Sequence, residues 1–135
     1  FSATTTNNGK KWAVERCSKP IFNLPGGFYT TTKNASFAAP AVGDTIYYTV
    51  NGAEPTRSNA RYTPGFVITM TSTTILRAKT FSAGRLSSDV VSKTYFINER
   101  DFNLPVVSII TEQANLTDNT VGIYVQGTNG LTGQF

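Results

Sequence analysis

The amino-acid sequence predicts an all-β domain built as an antiparallel β-sandwich. Three observations carry this expectation. Threonine, which is β-branched and suits a pleated, half-wet surface, occurs 21 times in 135 residues. Short apolar runs recur roughly every 8 to 15 residues with Gly, Pro or Asn between them, the rhythm of a sandwich. No window shows an apolar period near 3.6 residues, so no amphipathic helix is expected.

Taken in order, residues 1–19 are polar and include Thr4-Thr5-Thr6-Asn7-Asn8-Gly9, a linker or leading edge segment that Trp12 and Val14 pin to a neighbour. The sandwich itself is expected over residues 20–98. It opens with Pro20-Ile21-Phe22 as a short strand. Pro25-Gly26-Gly27 then makes a tight turn, with Pro25 presetting φ and one of the glycines taking a positive φ. The aromatic pair Phe28-Tyr29 follows, and residues 35–38 form another short strand ended by Pro40.

Thr45-Ile46-Tyr47-Tyr48-Thr49-Val50 alternates, which puts Ile46, Tyr48 and Val50 on one face and Tyr47 and Thr49 on the other. Asn51-Gly52 ends it with a turn signal. The chain resumes at Arg61-Tyr62, and Phe66-Val67-Ile68 reads as a strand. In residues 73–81 the alternation sends Leu76, Ala78 and Thr80 inward and Arg77 and Lys79 to water. Ser82-Ala83-Gly84-Arg85 turns the chain into a return strand over residues 90–97. A register with Arg77 beside Lys93 gathers Arg77, Lys79 and Lys93 on one half-basic outer face, a candidate interaction face for an acidic partner or else a solvated surface.

The character shifts near residue 100. Residues 99–135 read as a joint followed by the first strands of a following domain. Leu104-Pro105-Val106-Val107-Ser108-Ile109-Ile110-Thr111 is an apolar strand expected to add to the sandwich edge or to pair with a second copy of the chain. Asn115-Leu116-Thr117-Asp118 is a turn, and Gly122-Ile123-Tyr124-Val125 is a further short strand. The opening Phe1-Ser2-Ala3-Thr4 and the closing Leu131-Thr132-Gly133-Gln134-Phe135 read as the ends of a piece of a longer polypeptide.

Several kinds of chemistry are not expected. Histidine is absent, which excludes His-dependent triads and His-ligated zinc, and the single cysteine, Cys17, excludes an internal disulfide framework. Cys17 has cationic neighbours in Arg16 and Lys19 but no general base, so it reads as a buried or idle thiol. The sequence holds neither a P-loop nor G-x-G-x-x-G. The eight carboxylates fall almost all in loops and joints, and Glu99 with Asp101 makes too small a ligand set for calcium. We therefore expect no catalytic residue, no metal and no cofactor.

A net charge of +4 is modest and scattered, so no nucleic-acid partner is expected. No run reaches the ~20 apolar residues that span a bilayer, so no membrane span is expected either. Asn34-Ala35-Ser36 and Asn115-Leu116-Thr117 fit the N-glycosylation pattern, which arises often by chance in a Thr-rich chain. Tyr47, Tyr62 and Trp12 are candidates for a sugar-stacking platform; the alternative is that they are core or corner residues with a bonded polar tip.

The ordered set Pro20-Ile21-Phe22, Pro25-Gly26-Gly27-Phe28-Tyr29, Ile46-Tyr47-Tyr48-Thr49-Val50-Asn51-Gly52, Pro55-Thr56, Thr74-Ile75-Leu76-Arg77-Ala78-Lys79, Ser87-Ser88-Asp89-Val90 and Tyr95-Phe96-Ile97 resembles the chitobiase/β-hexosaminidase C-terminal-like domain. That resemblance implies an immunoglobulin-like, non-catalytic module over residues 20–98. The family's usual Asp-Gly-Ser turn reads Asn51-Gly52-Ala53 here, which keeps the turn but loses the carboxylate and hydroxyl that a cation or sugar role would use. The tail from Leu104-Pro105-Val106-Val107-Ser108 through Asn115-Leu116 to Gly122-Ile123-Tyr124-Val125 resembles the opening of the CotH-type spore-coat kinase family. It implies a kinase-like neighbour whose nucleotide-binding parts are not in these residues.

The function expected from all this is a non-catalytic spacer or interaction module of a bacterial exported or cell-surface protein, with neighbouring domains of the same polypeptide as partners. A carbohydrate-binding module using exposed aromatic residues, with a glycan as partner, is the alternative. An ATP-binding enzyme fragment is the third reading.

Overall fold

A computed structural model describes residues 4–7, 10–13, 15–100, 104–112 and 114–124. Its strands are β1 (Thr4–Asn7), β2 (Lys10–Ala13), β3 (Gly27–Tyr29), β4 (Lys33–Ala35), β5 (Asp44–Thr49), β6 (Ala60–Arg61), β7 (Ile68–Met70), β8 (Thr74–Ser82) and β9 (Val91–Ile97). One helical turn, α1 (Ala114–Thr117), is the only helix among the described residues. The expected all-β architecture holds: a five-stranded sheet ordered β3-β9-β8-β5-β6 packs against the pair β4-β7 as an immunoglobulin-like sandwich. The leading segment holds an antiparallel pair of its own, β1 with β2, in which Trp12 stands opposite Thr5. Three of the four pairings inside the larger sheet are antiparallel; β3 runs parallel to β9, with Gly27 opposite Tyr95.

The inward residues are those that alternation selects on the longest strand. Along β8, Leu76, Ala78, Thr80 and Ser82 are buried while their neighbours are only half-buried. Leu76 and Ala78 join Ile46 of β5, Tyr95 and Ile97 of β9, and Ala35, Ile68 and Met70 from the smaller sheet, with Phe37 and Tyr62, in one core cluster. Each of the larger aliphatic or aromatic side chains removed from water stabilises the fold by about 1.5–3 kcal/mol. Phe37 is the hub of the aromatic contacts, edge-on to Phe22 with centroids 4.7 Å apart and to Tyr62 at 4.9 Å.

Two polar side chains complete this interior. Tyr95 is fully buried, and its hydroxyl donates to the Leu24 carbonyl at 2.9 Å. Burial, reinforced by Tyr29 nearby, pushes that phenol up to about 12. Ser88 takes the place of a strand partner for Thr80: its N–H donates to the Thr80 carbonyl and its Oγ accepts the Thr80 N–H, both at 2.9 Å.

Several expected boundaries shift. The pairing of β8 with β9 is displaced by one residue from the expected register: Leu76 lies opposite Lys93 and Arg77 opposite Ser92. A one-residue slip exchanges the faces of a whole strand, and the burial of Tyr95 and Ile97 fixes which face turns inward. Val50 is 49% exposed, because β5 ends at Thr49 and the chain turns away. Phe66 and Val67 are exposed, and the strand expected there begins only at Ile68. Residues 104–112 form no strand, and 122–124 are not a strand either; Val125 lies outside the described residues.

Candidate functional site

With its inner face in the core, the larger sheet has an outer face as the surface that residues can share for function. Cross-strand pairing sets its rows. Arg61 of β6, Tyr47 of β5 and Lys79 of β8 stand in line across three strands. Thr45 and Phe81 make the row on one side, and Thr49, Arg77 and Ser92 the row on the other. Beyond them come Ile75 and Thr94, then Phe96, whose ring stacks on Phe28 with centroids 4.4 Å apart.

The Arg77 end of this face is covered. The loop after β5 folds over it through an Asx turn, in which Asn51 Oδ1 accepts the Ala53 N–H at 3.2 Å and Thr49 Oγ1 donates to the Ala53 carbonyl at 2.6 Å. Gly52 permits this path with a φ of +83°, a region costly for residues with a Cβ. Arg77 Nη1 donates to the Gly52 carbonyl at 2.7 Å and to Glu112 Oε1 at 2.9 Å. The same Glu112 oxygen accepts the Glu54 N–H at 2.8 Å. Farther back, the hydroxyls of Thr94 and Ser108 are 2.8 Å apart. The segment 104–112 is thus tied across the sheet's outer face by side chains rather than by a strand ladder.

The Tyr47 end is open. Tyr47 and Phe81 meet edge to face at 5.5 Å. The Arg57 guanidinium sits 5.0 Å and the Lys79 ammonium 5.7 Å from the centroid of Phe81. Lys79 also holds Glu54 Oε1 at 2.7 Å, and that hydrogen bond and charge keep the Glu54 carboxyl below the usual carboxylate range.

The predicted site residues do not converge. Tyr62 is a core residue, 4% exposed, whose hydroxyl donates to the Phe37 carbonyl at 3.0 Å, so it offers no ring to a ligand. Tyr47 is half-buried on the outer face. The side chain of Trp12 lies outside the described residues. Lys93 is on the opposite face from Arg77 and Lys79, in the row of Leu76, as the register requires. Arg77 and Lys79 do share the outer face but are not freely solvated: their side chains are only 14% and 19% exposed, each held by a carboxylate. Phe81 was legible as the next outward residue after Lys79; Glu112, Arg57 and Glu54 carry no local signal that would place them here.

The carboxylates are committed elsewhere. Asp44 is buried against Arg85, and Asp89 is lowered first by Lys19 and then by Arg16, at 3.1 and 2.7 Å. Glu99 accepts the Thr73 hydroxyl, and Asp118 is lowered by the N–H groups of Thr120 and Val121. Asp101 lies outside the described residues. A cavity of about 90 Å³ lies beside Asp44, walled largely by Pro20, Ile21, Ala39, Pro40 and Ile46. Cys17 is buried next to it, its Sγ 4.0 Å from Asp44 Oδ1. Among the described residues no three His, Cys, Asp or Glu side chains group as metal ligands, and no helix is long and apolar enough to cross a membrane.

Neither the curated proteins nor the solved structures give a match. The family model for the chitobiase/beta-hexosaminidase C-terminal domain, a non-catalytic immunoglobulin-like domain, matches residues 24–92, just over half of the chain. The match runs from Leu24, just before β3, into β9 and takes in both layers of the sandwich. The chain belongs to the chitobiase/beta-hexosaminidase C-terminal domain family.

Proposed function

We propose that the chain is a non-catalytic module that fixes the direction in which a longer, exported or cell-surface polypeptide leaves it, and so positions the neighbouring domain. The observation that carries this reading is the clasp at Glu112. An oxygen of its carboxylate takes both the Arg77 guanidinium and the Glu54 N–H, so the chain beyond β9 is tied back onto the sheet instead of swinging free. Family membership supports the non-catalytic part, and the family's occurrence in secreted glycosidases supports the compartment. A CotH-type kinase as the neighbour rests on the resemblance of residues 104–125 alone, and the family match stops at residue 92.

The test is a distance measurement between spin labels at Ala83→Cys and Val121→Cys in a Cys17→Ala background. A narrow distribution that broadens on adding Glu112→Ala is expected. A broad distribution before that substitution overturns the reading.

A further inference from the structure

The geometry points to a binding site for an anionic polysaccharide, one bearing uronate or sulfate groups, on the open end of the outer sheet face, formed by Arg57, Arg61, Tyr47, Phe81 and Lys79. This site does not depend on the positioning role. Two aromatic rings lie at 87° to each other on the face, with two cations close to one of them. Arg61 flanks Tyr47 from β6, so the line Arg61–Tyr47–Lys79 crosses two strand spacings, about 10 Å. That is close to the length of a disaccharide.

Charge is left over at this spot. Lys79 is matched by Glu54, and Arg77 farther along is matched by Glu112. Arg57 and Arg61 are both exposed, and among the described residues neither has a carboxylate within ion-pair reach. Arg57 is nonetheless preorganised: its Nη2 donates to the Ser82 carbonyl at 2.9 Å while its plane lies near Phe81. A guanidinium held this way keeps donors for a carboxylate or sulfate and loses little freedom on binding.

Rings beside cations suit a ligand with apolar C–H faces as well as anionic groups, which is the make-up of an acidic sugar chain. An acidic peptide has less to use. The sheet edge here is the two-residue β6, too short a template for an added strand.

The test measures retardation of the 135-residue chain on immobilised polygalacturonate, with dextran, polyglutamate and oligothymidylate as parallel supports. Retardation on polygalacturonate above all three others is expected, weakening with added salt. Arg57→Gln with Arg61→Gln should reduce the affinity roughly tenfold or more. Tyr47→Ala should reduce it too, and Glu54→Gln, which removes the local negative charge, should increase it. Arg61→Gln alone, on an exposed edge, guards against a folding effect of the Arg57 change; circular dichroism checks each variant. Equal or stronger retardation on polyglutamate or oligothymidylate overturns the assignment, as does an unchanged affinity in folded Arg61→Gln and Arg57→Gln/Arg61→Gln.

Discussion

Arg77 and Glu112 stand 35 residues apart in sequence and meet at 2.9 Å on the outer face of the sheet. Arg77 is mostly enclosed, and its Nε is buried with no hydrogen-bond partner among the described residues. Removing the carboxylate leaves an enclosed guanidinium short of acceptors and the Glu54 N–H without its partner. Glu112→Ala should therefore lower stability by about 1–3 kcal/mol. Denaturant unfolding reads the loss, and limited proteolysis should show new cleavage near Val107 and Ile109, which face water. Unchanged proteolysis would show that the clasp does not hold the segment.

The two tyrosines offered by the sequence as a pair should behave oppositely. Tyr62→Ala empties a site packed against Phe37 and should cost about 3–5 kcal/mol, enough to unfold a marginal domain. Tyr47→Ala, on the half-covered outer face, should cost less than half as much. Thermal melting of the two variants side by side decides whether the division between core and surface is right.

Stability should also fall at high pH through Tyr95. Its folded value is raised to about 12 from an ordinary 10.0, so the unfolded chain ionises first. Below pH 10 both states hold the proton and the contribution is complete; between pH 10 and 12 it is lost as the unfolded state is favoured. The loss over that window is on the order of 2–3 kcal/mol. Tyr95→Phe should flatten that part of the profile and cost about 1 kcal/mol at neutral pH through the bond to Leu24. Denaturation midpoints from pH 8 to 12 for both proteins test the sign.

Gly26 is required by closeness rather than by its φ. A Cβ at this position would lie 2.9 Å from the Thr94 carbonyl oxygen, a backbone atom with little room to retreat. Gly26→Ala should push β3 away from β9 and cost roughly 1–3 kcal/mol. The readout is the thermal midpoint together with faster amide exchange at Tyr29 and at Asn98, whose N–H donates to the Tyr29 carbonyl at 2.7 Å. An unaltered midpoint would mean that the parallel pair is not closely held.

Much of the sandwich was legible because alternation is a local property. Leu76, Ala78 and Thr80 could be sent inward from nine consecutive letters, since a strand turns successive side chains to opposite faces whatever lies beside it. The bend at Asn51-Gly52 was legible for the same reason, as its backbone needs are met within a few residues; the tight turn expected at Pro25-Gly26-Gly27 is instead a bend at Gly26 that leads straight into β3. The candidate site was less so. Tyr47 and Tyr62 carry similar local signals, and only the packing of Phe37 against one of them separates core from surface.

By itself, the sequence determined the all-β class, the family and the inward set of the longest strand, because those follow from short-range pattern and composition. The tertiary structure alone decided the rest. It chose the one-residue register that puts Lys93 on the opposite face from Arg77, and it tied residues 104–112 across the sheet instead of making a strand of them. It also left Arg57 and Arg61 without an acid beside them among the described residues. Register and charge pairing are relations between distant segments, set by which buried surfaces must meet, and no local run of residues contains that information.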